Sequence, residues 1–142
     1  MKTLIVIKPD GVMRGLVGEI ISRFEKCGFK IKALKITKLD RETTKRLYAV
    51  HKGKNFFDEL IEYITSGPVI PVVLELDKVK FEEGIKLVRK IVGATNPLEA
   101  EMGSIRGDYA SNVTHNIIHA SDSAESASYE TPIFFNKMEI LD

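Results

Sequence analysis

The chain has a single cysteine, Cys27, in 142 residues, so no intrachain disulfide framework is available to it. No stretch approaches the roughly 18 consecutive apolar residues of a membrane span. The opening Met-Lys-Thr-Leu-Ile-Val-Ile-Lys-Pro lacks the apolar length of a signal peptide. These absences set the expectation of a protein in the reducing cytoplasm. Nor does one sign of charge prevail, because 21 basic against 20 acidic side chains leave a net charge of +1. Bulk electrostatics therefore gives no reason to expect a nucleic-acid or membrane partner. The chain has no repeat, no low-complexity tract and no Gly-x-x-x-x-Gly-Lys-[Ser/Thr] phosphate cradle. Histidine is scarce too, with three in all.

What remains is the size and balance of one globular domain, residues 1–142, with 44% hydrophobic side chains to fill a core. Thr3 to Ile7 reads as a buried strand closed by the turn Lys8-Pro9-Asp10-Gly11. Leu16 to Cys27 has helical spacing, with Gly28 placed as its C-terminal cap. Phe29 to Ile36 changes parity near Ala33, which predicts a long strand with a bulge there. Helices follow over Arg41 to Val50 and Phe56 to Ser66. Pro68 to Leu76 is a third strand, in which Pro71 argues for an edge or irregular position. Phe81 to Val92 is helical, Gly93 to His115 is a long polar loop, Asn116 to His119 is the last strand, and Asp122 to Tyr129 is a short helix. The order predicts an α+β fold of ferredoxin-like split βαβ type. It has an antiparallel sheet, an inserted helical pair and a long loop before the last strand. One face of the sheet is expected to carry helices and the other to stay available. The loop is too long for a mere connector.

His119 is the histidine that attracts chemistry, because it ends an apolar strand and precedes the capping run Ser121-Asp122-Ser123. Imidazole is a nucleophile at neutral pH without a second base. A lone histidine at a strand end is more often structural, and the neighbouring segments change that weighting.

Ile7-Lys8-Pro9-Asp10-Gly11, Arg14-Gly15-Leu16-Val17-Gly18, Ser66-Gly67-Pro68-Val69, Gly93-Ala94-Thr95-Asn96-Pro97, Ser104-Ile105-Arg106-Gly107-Asp108 and Asn116 to Ser123 stand in one order along nearly the whole chain. Together they resemble the nucleoside diphosphate kinase family. The resemblance implies ping-pong transfer of a γ-phosphoryl group from a nucleoside triphosphate to a nucleoside diphosphate through a phosphohistidine. It makes His119 the nucleophile, phosphorylated at Nδ1, and Glu130 the group that orients it. Ser121 would donate to Glu130 or to phosphate, or else simply cap the last helix.

By the same resemblance Lys8, Tyr48, Arg89, Thr95 and Arg106 contact phosphate, and transferred charge on phosphoryl oxygens does call for fixed cations and donors. Lys8 has separate support, because Pro9 biases it toward extended geometry at a strand end. Phe56 would stack on the base with Val113 opposite. Leu60 would widen that wall, and Phe57 would face the core. Lys8 and Asn116 would bond the ribose hydroxyls. Stacking holds any base, so broad base tolerance follows. No Asp/Glu/His cluster has metal-ligand spacing, so Mg²⁺ is expected on the nucleotide phosphates, with Asp122 reaching it through water. A homo-oligomer is implied, a hexamer before a tetramer or dimer, and these stay open because the tail stops at Asp142 without the extension some members use to reach a neighbour.

The chain departs from the family pattern at Asp77 to Gly84, which is longer than expected. Ala120 stands where glycine is common, and this is compatible only with a negative φ. His115 stands where arginine is common. A nonenzymatic ferredoxin-like binding domain gives no reason for a positioned His119 and Glu130. A phosphocarrier would pass its phosphate to a protein rather than to a free diphosphate.

Overall fold

The computed structural model describes residues 1–142. β1 (Lys2–Ile7) leads into α1 (Pro9–Met13) and α2 (Val17–Lys26), and β2 (Lys30–Leu34) returns along the sheet. α3 (Arg41–Leu47) and α4 (Phe57–Thr65) form the inserted pair, with a 3₁₀ turn at Ala49–His51 between them. β3 (Ile70–Glu75), α5 (Phe81–Val92), α6 (Ile105–Tyr109), β4 (Ile118–Ala120) and α7 (Ala124–Phe134) complete the chain. The sheet order is β2-β3-β1-β4 with every neighbouring pair antiparallel, as the ferredoxin-like reading requires. The bulge expected near Ala33 is present as a register shift between Ile31 and Ala33. No helix is long and apolar enough to cross a membrane.

The sheet does not leave a face open, contrary to the sequence expectation. Leu4, Val6 and Val73 pack against Leu47, Ile61 and Phe134 on one side. Ile5, Ile7 and Leu74 pack against Ile20, Phe24 and Val88 on the other. Residues 4–7 of β1 are apolar at every position because both faces of this strand are covered.

Pro71 is not at an edge, since β3 lies between β2 and β1. Its carbonyl accepts from Lys35 N at 3.4 Å. Its nitrogen faces the same side, where β2 has ended and only the isolated Thr37–Val69 bridge continues. The missing N–H therefore falls in a gap of the ladder.

Several elements also differ from the sequence reading, α3 for one ending at Leu47 rather than Val50. The turn at Pro9 is a short helix, with proline in the first turn, where its lack of an N–H is harmless. α6 forms inside the long loop, capped by Ser104, whose hydroxyl accepts from Gly107 N. α7 continues through Pro132 to Phe134, so Glu130 lies within the helix rather than near its end.

The last strand starts at Ile118 rather than Asn116 because the two preceding residues bend. Ile118 N donates to Asn116 O at 2.9 Å. Ile117 between them has φ +75. For a β-branched residue this left-handed backbone is strained, by about 1–3 kcal/mol. The bend aims β4 so that His119 pairs with Val6 of β1.

Candidate active site

Strand alternation puts Val6 and Lys8 on the same face of β1. His119, the cross-strand partner of Val6, shares that face. α7 crosses behind it and supplies Glu130, and the end of α3 supplies Tyr48. His119 Nε2 lies 2.6 Å from Glu130 Oε1, and Ser121 Oγ donates to the same oxygen at 2.7 Å. Ser121 is thus not the cap of α7. That place belongs to Ser123, whose hydroxyl accepts from Ser126 N. Glu130 is buried, so its ionised form has the imidazole N–H and the serine hydroxyl as its bonding partners. A carboxylate accepts only, which fixes the proton on Nε2 and leaves the Nδ1 lone pair free. Tyr48 meets the imidazole edge to face, with ring centroids 5.5 Å apart.

His119 lines a cleft of about 560 Å³. Of the residues singled out in the sequence, Lys8, Tyr48, Phe56, Leu60, Arg89, Thr95, Arg106, Val113, Asn116 and Asp122 line it as well. Ser121 and Glu130 sit behind the histidine. Ala120 is not among the residues with positive φ, so alanine is accommodated there.

The cationic end of the cleft is built with few counter-ions. Lys8 Nζ is buried and donates to Asn116 Oδ1 at 2.6 Å. Asn116 Nδ2 in turn donates to Thr95 O at 3.1 Å. Burial first, and then the nearby Arg106, lower the Lys8 ammonium to about 7, against a smaller opposing pull from Asp10. Arg106 is largely a strap. It donates from Nε to Asn116 O at 3.2 Å, from Nη1 to Gly93 O at 3.1 Å and from Nη2 to Ile118 O at 2.6 Å. It ties the long loop to the last strand and keeps only its remaining N–H groups for the cleft. Arg89, exposed in the last turn of α5, makes no hydrogen bond to the protein and has its whole fork available. The Tyr48 hydroxyl is pushed up, mainly by burial and then by Glu130, so it stays protonated.

At the other end Phe56 and Val113 are 44% and 56% exposed and both line the cleft, so together they offer a ligand an apolar surface. Leu60 differs. It is mostly core, packed with Ile61 and Phe57, and offers the cleft only its edge. Phe57 is buried, as expected.

Sequence reasoning missed His51, which also lines the cleft. Its ring lies 6.2 Å from Tyr48 and 5.3 Å from Phe56, and Lys54 Nζ is 3.2 Å from its Nδ1. Burial, and then Lys54, lower its pKa. The available signal was its three-residue offset from Tyr48, one helical turn along the same face.

An imidazole with one free nitrogen, cations on one side and an exposed aromatic on the other are parts that one class of protein, a kinase acting on nucleotides, requires. Comparison with known proteins makes the class specific. The sequence model of the family Nucleoside diphosphate kinase matches residues 1–140. A nucleoside diphosphate kinase of Sulfurisphaera tokodaii is 56% identical over 140 residues, 99% of this chain and 92% of that one. One of Saccharolobus solfataricus is 52% identical over 139 residues, covering 98% and 97% of the two chains. Among solved structures, the Aquifex aeolicus nucleoside diphosphate kinase matches with a TM-score of 0.91 at 42% identity, over 99% of this chain and 98% of that one. The halophilic enzyme of Halobacterium salinarum in complex with CDP matches with a TM-score of 0.93 at 40% identity, over 100% and 91%. The chain belongs to the nucleoside diphosphate kinase family, and so is a phosphotransferase between nucleoside triphosphates and diphosphates.

Proposed function

We propose that the enzyme moves the γ-phosphoryl group in two half-reactions through a phosphohistidine on His119 Nδ1, with broad tolerance of base and sugar. The observation that carries this reading is the 2.6 Å contact of His119 Nε2 with the buried Glu130, which leaves Nδ1 as the free nucleophile. In the first half-reaction the Nδ1 lone pair attacks the γ-phosphorus. The bond to the bridging oxygen breaks and the diphosphate leaves with that oxygen. The ring becomes positively charged as the N–P bond forms, and Glu130 stabilises that charge. The second half-reaction is the reverse, with a different diphosphate as acceptor.

Arg89, Arg106, Lys8, Tyr48 and Thr95 receive the phosphate oxygens. Lys8 and Asn116, already joined to each other, present the ribose site. No three His, Cys, Asp or Glu side chains converge as a metal site. Asp122 is the carboxylate among the cleft residues, so the chain suits Mg²⁺ delivered on the nucleotide, held by the phosphates and met by Asp122 through water. When bound, Mg²⁺ neutralises phosphate charge. The whole chain acts as one domain in the cytoplasm and assembles as a homo-oligomer, a hexamer. The exposed Leu98 and Met102 of the long loop support assembly. The deciding experiment is incubation with γ-labelled ATP, isolation of the protein, and a chase with GDP or dCDP. Labelled protein that passes its phosphate to either diphosphate is expected. Absence of labelled protein, or label that no diphosphate removes, would overturn the proposal.

The base site predicts a pattern of its own. Phe56→Ala is expected to weaken purine and pyrimidine nucleotides alike by about 1–3 kcal/mol, with kcat changing less than apparent affinity. Steady-state constants for GDP, CDP and their deoxy forms measure this. Loss of one base class alone would mean that base edges are read.

Lys8 predicts a pH dependence. Its pKa is about 7 in the empty protein against 10.5 ordinarily. Between these values the unfolded chain keeps a proton that the native one gives up, so through this group stability of the empty protein rises with pH across that window. Bound phosphate restores the charged form, so binding takes up a proton there. Nucleotide affinity should therefore fall as pH rises above about 7, by at most about tenfold per pH unit. Titration calorimetry in two buffers of different ionisation enthalpy would read the proton uptake, and Lys8→Met should remove it.

A further inference from the structure

Asp10, in the first turn of α1, has no place in the cleft, yet both oxygens of its carboxylate are engaged. Oδ2 accepts from Ile117 N at 3.1 Å. Oδ1 accepts from the Tyr63 hydroxyl, which itself accepts from Asp10 N at 2.8 Å. Burial, and then this carboxylate, push the Tyr63 hydroxyl up, which keeps it a donor. The residue so gripped is Ile117, fully buried at φ +75. Its carbonyl is held from the other side by Lys8 N at 2.8 Å.

Gly11 is what lets the two segments meet. A Cβ there would lie 2.8 Å from Ile7 Cγ2 and 3.2 Å from Ile117 O. The Pro9-Asp10-Gly11 part of the first motif, which the substrate contacts leave unused, is thus built around one strained residue. Strained backbone persists only where its surroundings over-determine it, and here the position it fixes is informative. Asn116, which bonds Lys8 and Thr95, is the residue before Ile117, and His119 is two residues after it.

We propose that Asp10, buttressed by Tyr63, is a positioning residue for phosphoryl transfer. It holds Ile117 in its left-handed conformation, and so sets Asn116 and Lys8 on one side of the bend and His119 on the other. This rests on the phosphohistidine reading above. Without the carboxylate the Ile117 N–H would be buried unbonded, and the backbone would relax to negative φ. Both ends of the phosphoryl path would then shift together.

The test is single-turnover formation of the phosphoenzyme from saturating ATP, on variants shown to be folded by circular dichroism. Asp10→Ala is expected to slow this step by about 10- to 100-fold, the scale of an ångström-sized misplacement, with a smaller change in apparent nucleotide affinity. Tyr63→Phe should slow it in the same direction by about 3- to 10-fold, and it carries the test if Asp10→Ala does not fold. Adding Ile117→Gly to Asp10→Ala should restore at least about threefold, because glycine takes this φ without strain. A merely structural role would lower the melting temperature and leave the rate of the folded enzyme unchanged. A folded Asp10→Ala or Tyr63→Phe enzyme with the wild-type rate, or a double variant slower than Asp10→Ala, would overturn the proposal. If the wild type itself forms no phosphoenzyme, the phosphohistidine reading falls, and this one with it.

Discussion

His119→Ala is expected to abolish labelling by γ-labelled ATP and to lower turnover by at least about 10⁴-fold, the scale seen when a covalent nucleophile is removed. The size follows from the lack of any substitute. Lys8 is buried and bonded to Asn116, and the Ser121 hydroxyl is spent on Glu130. His51 lines the same cleft but has the Lys54 ammonium against its Nδ1. The variant should still bind nucleotide, because Phe56, Val113 and Arg89 belong to other elements. Wild-type label should be acid-labile and base-stable, as a phosphoramidate is. Acid-stable label, or a labelled alanine variant, would place the phosphate elsewhere.

Glu130→Gln is expected to slow transfer by about ten- to a thousandfold while nucleotide affinity stays nearly constant. Because the imidazole and Ser121 Oγ both address Oε1, a glutamine carbonyl can occupy that point and keep the geometry. What it cannot supply is negative charge facing the ring as the N–P bond forms. The variant therefore separates charge from orientation, and Glu130 does not line the cleft, so binding is spared. Rapid-quench measurement of phosphoenzyme formation is the direct readout. An unchanged rate would remove the charge of Glu130 from the mechanism.

The cleft was legible in the sequence because Lys8, Thr95, Arg106, Asn116 and His119 lie in the segments that carry the family resemblance, and the resemblance then implied Tyr48, Phe56, Arg89 and Val113, which lie outside them. The fold was legible where periodicity was clean, as in α2 and α5. The covered second face of the sheet was also written in the sequence, in the unbroken apolar run of β1, which alternation-based reasoning undervalues. Pro71 misled because a propensity rule about donors says nothing about which side of a strand has a partner. α7 runs past the expected end at Tyr129 and takes Pro132 into its last turn. Glu130 could not be assigned to His119 from spacing alone, because their meeting depends on α7 packing back across β1. The conformation of Ile117 left no local signal at all, since isoleucine is about the last residue one would place at positive φ. Tertiary bonds from Asp10, Lys8 and Arg106 impose it.

Lys8 is buried beside the half-buried Arg106, with no carboxylate in contact with either. In the absence of substrate, burial and then the poorly screened charge of Arg106 oppose the Lys8 ammonium, which therefore gives up its proton near pH 7. A polyphosphate entering the cleft supplies the anions that the sequence withholds, so it completes the fold as well as being the substrate. The empty enzyme should melt at a lower temperature than the nucleotide-loaded one. A neutral side chain of similar shape at position 8 should make the empty protein sturdier and the catalyst worse.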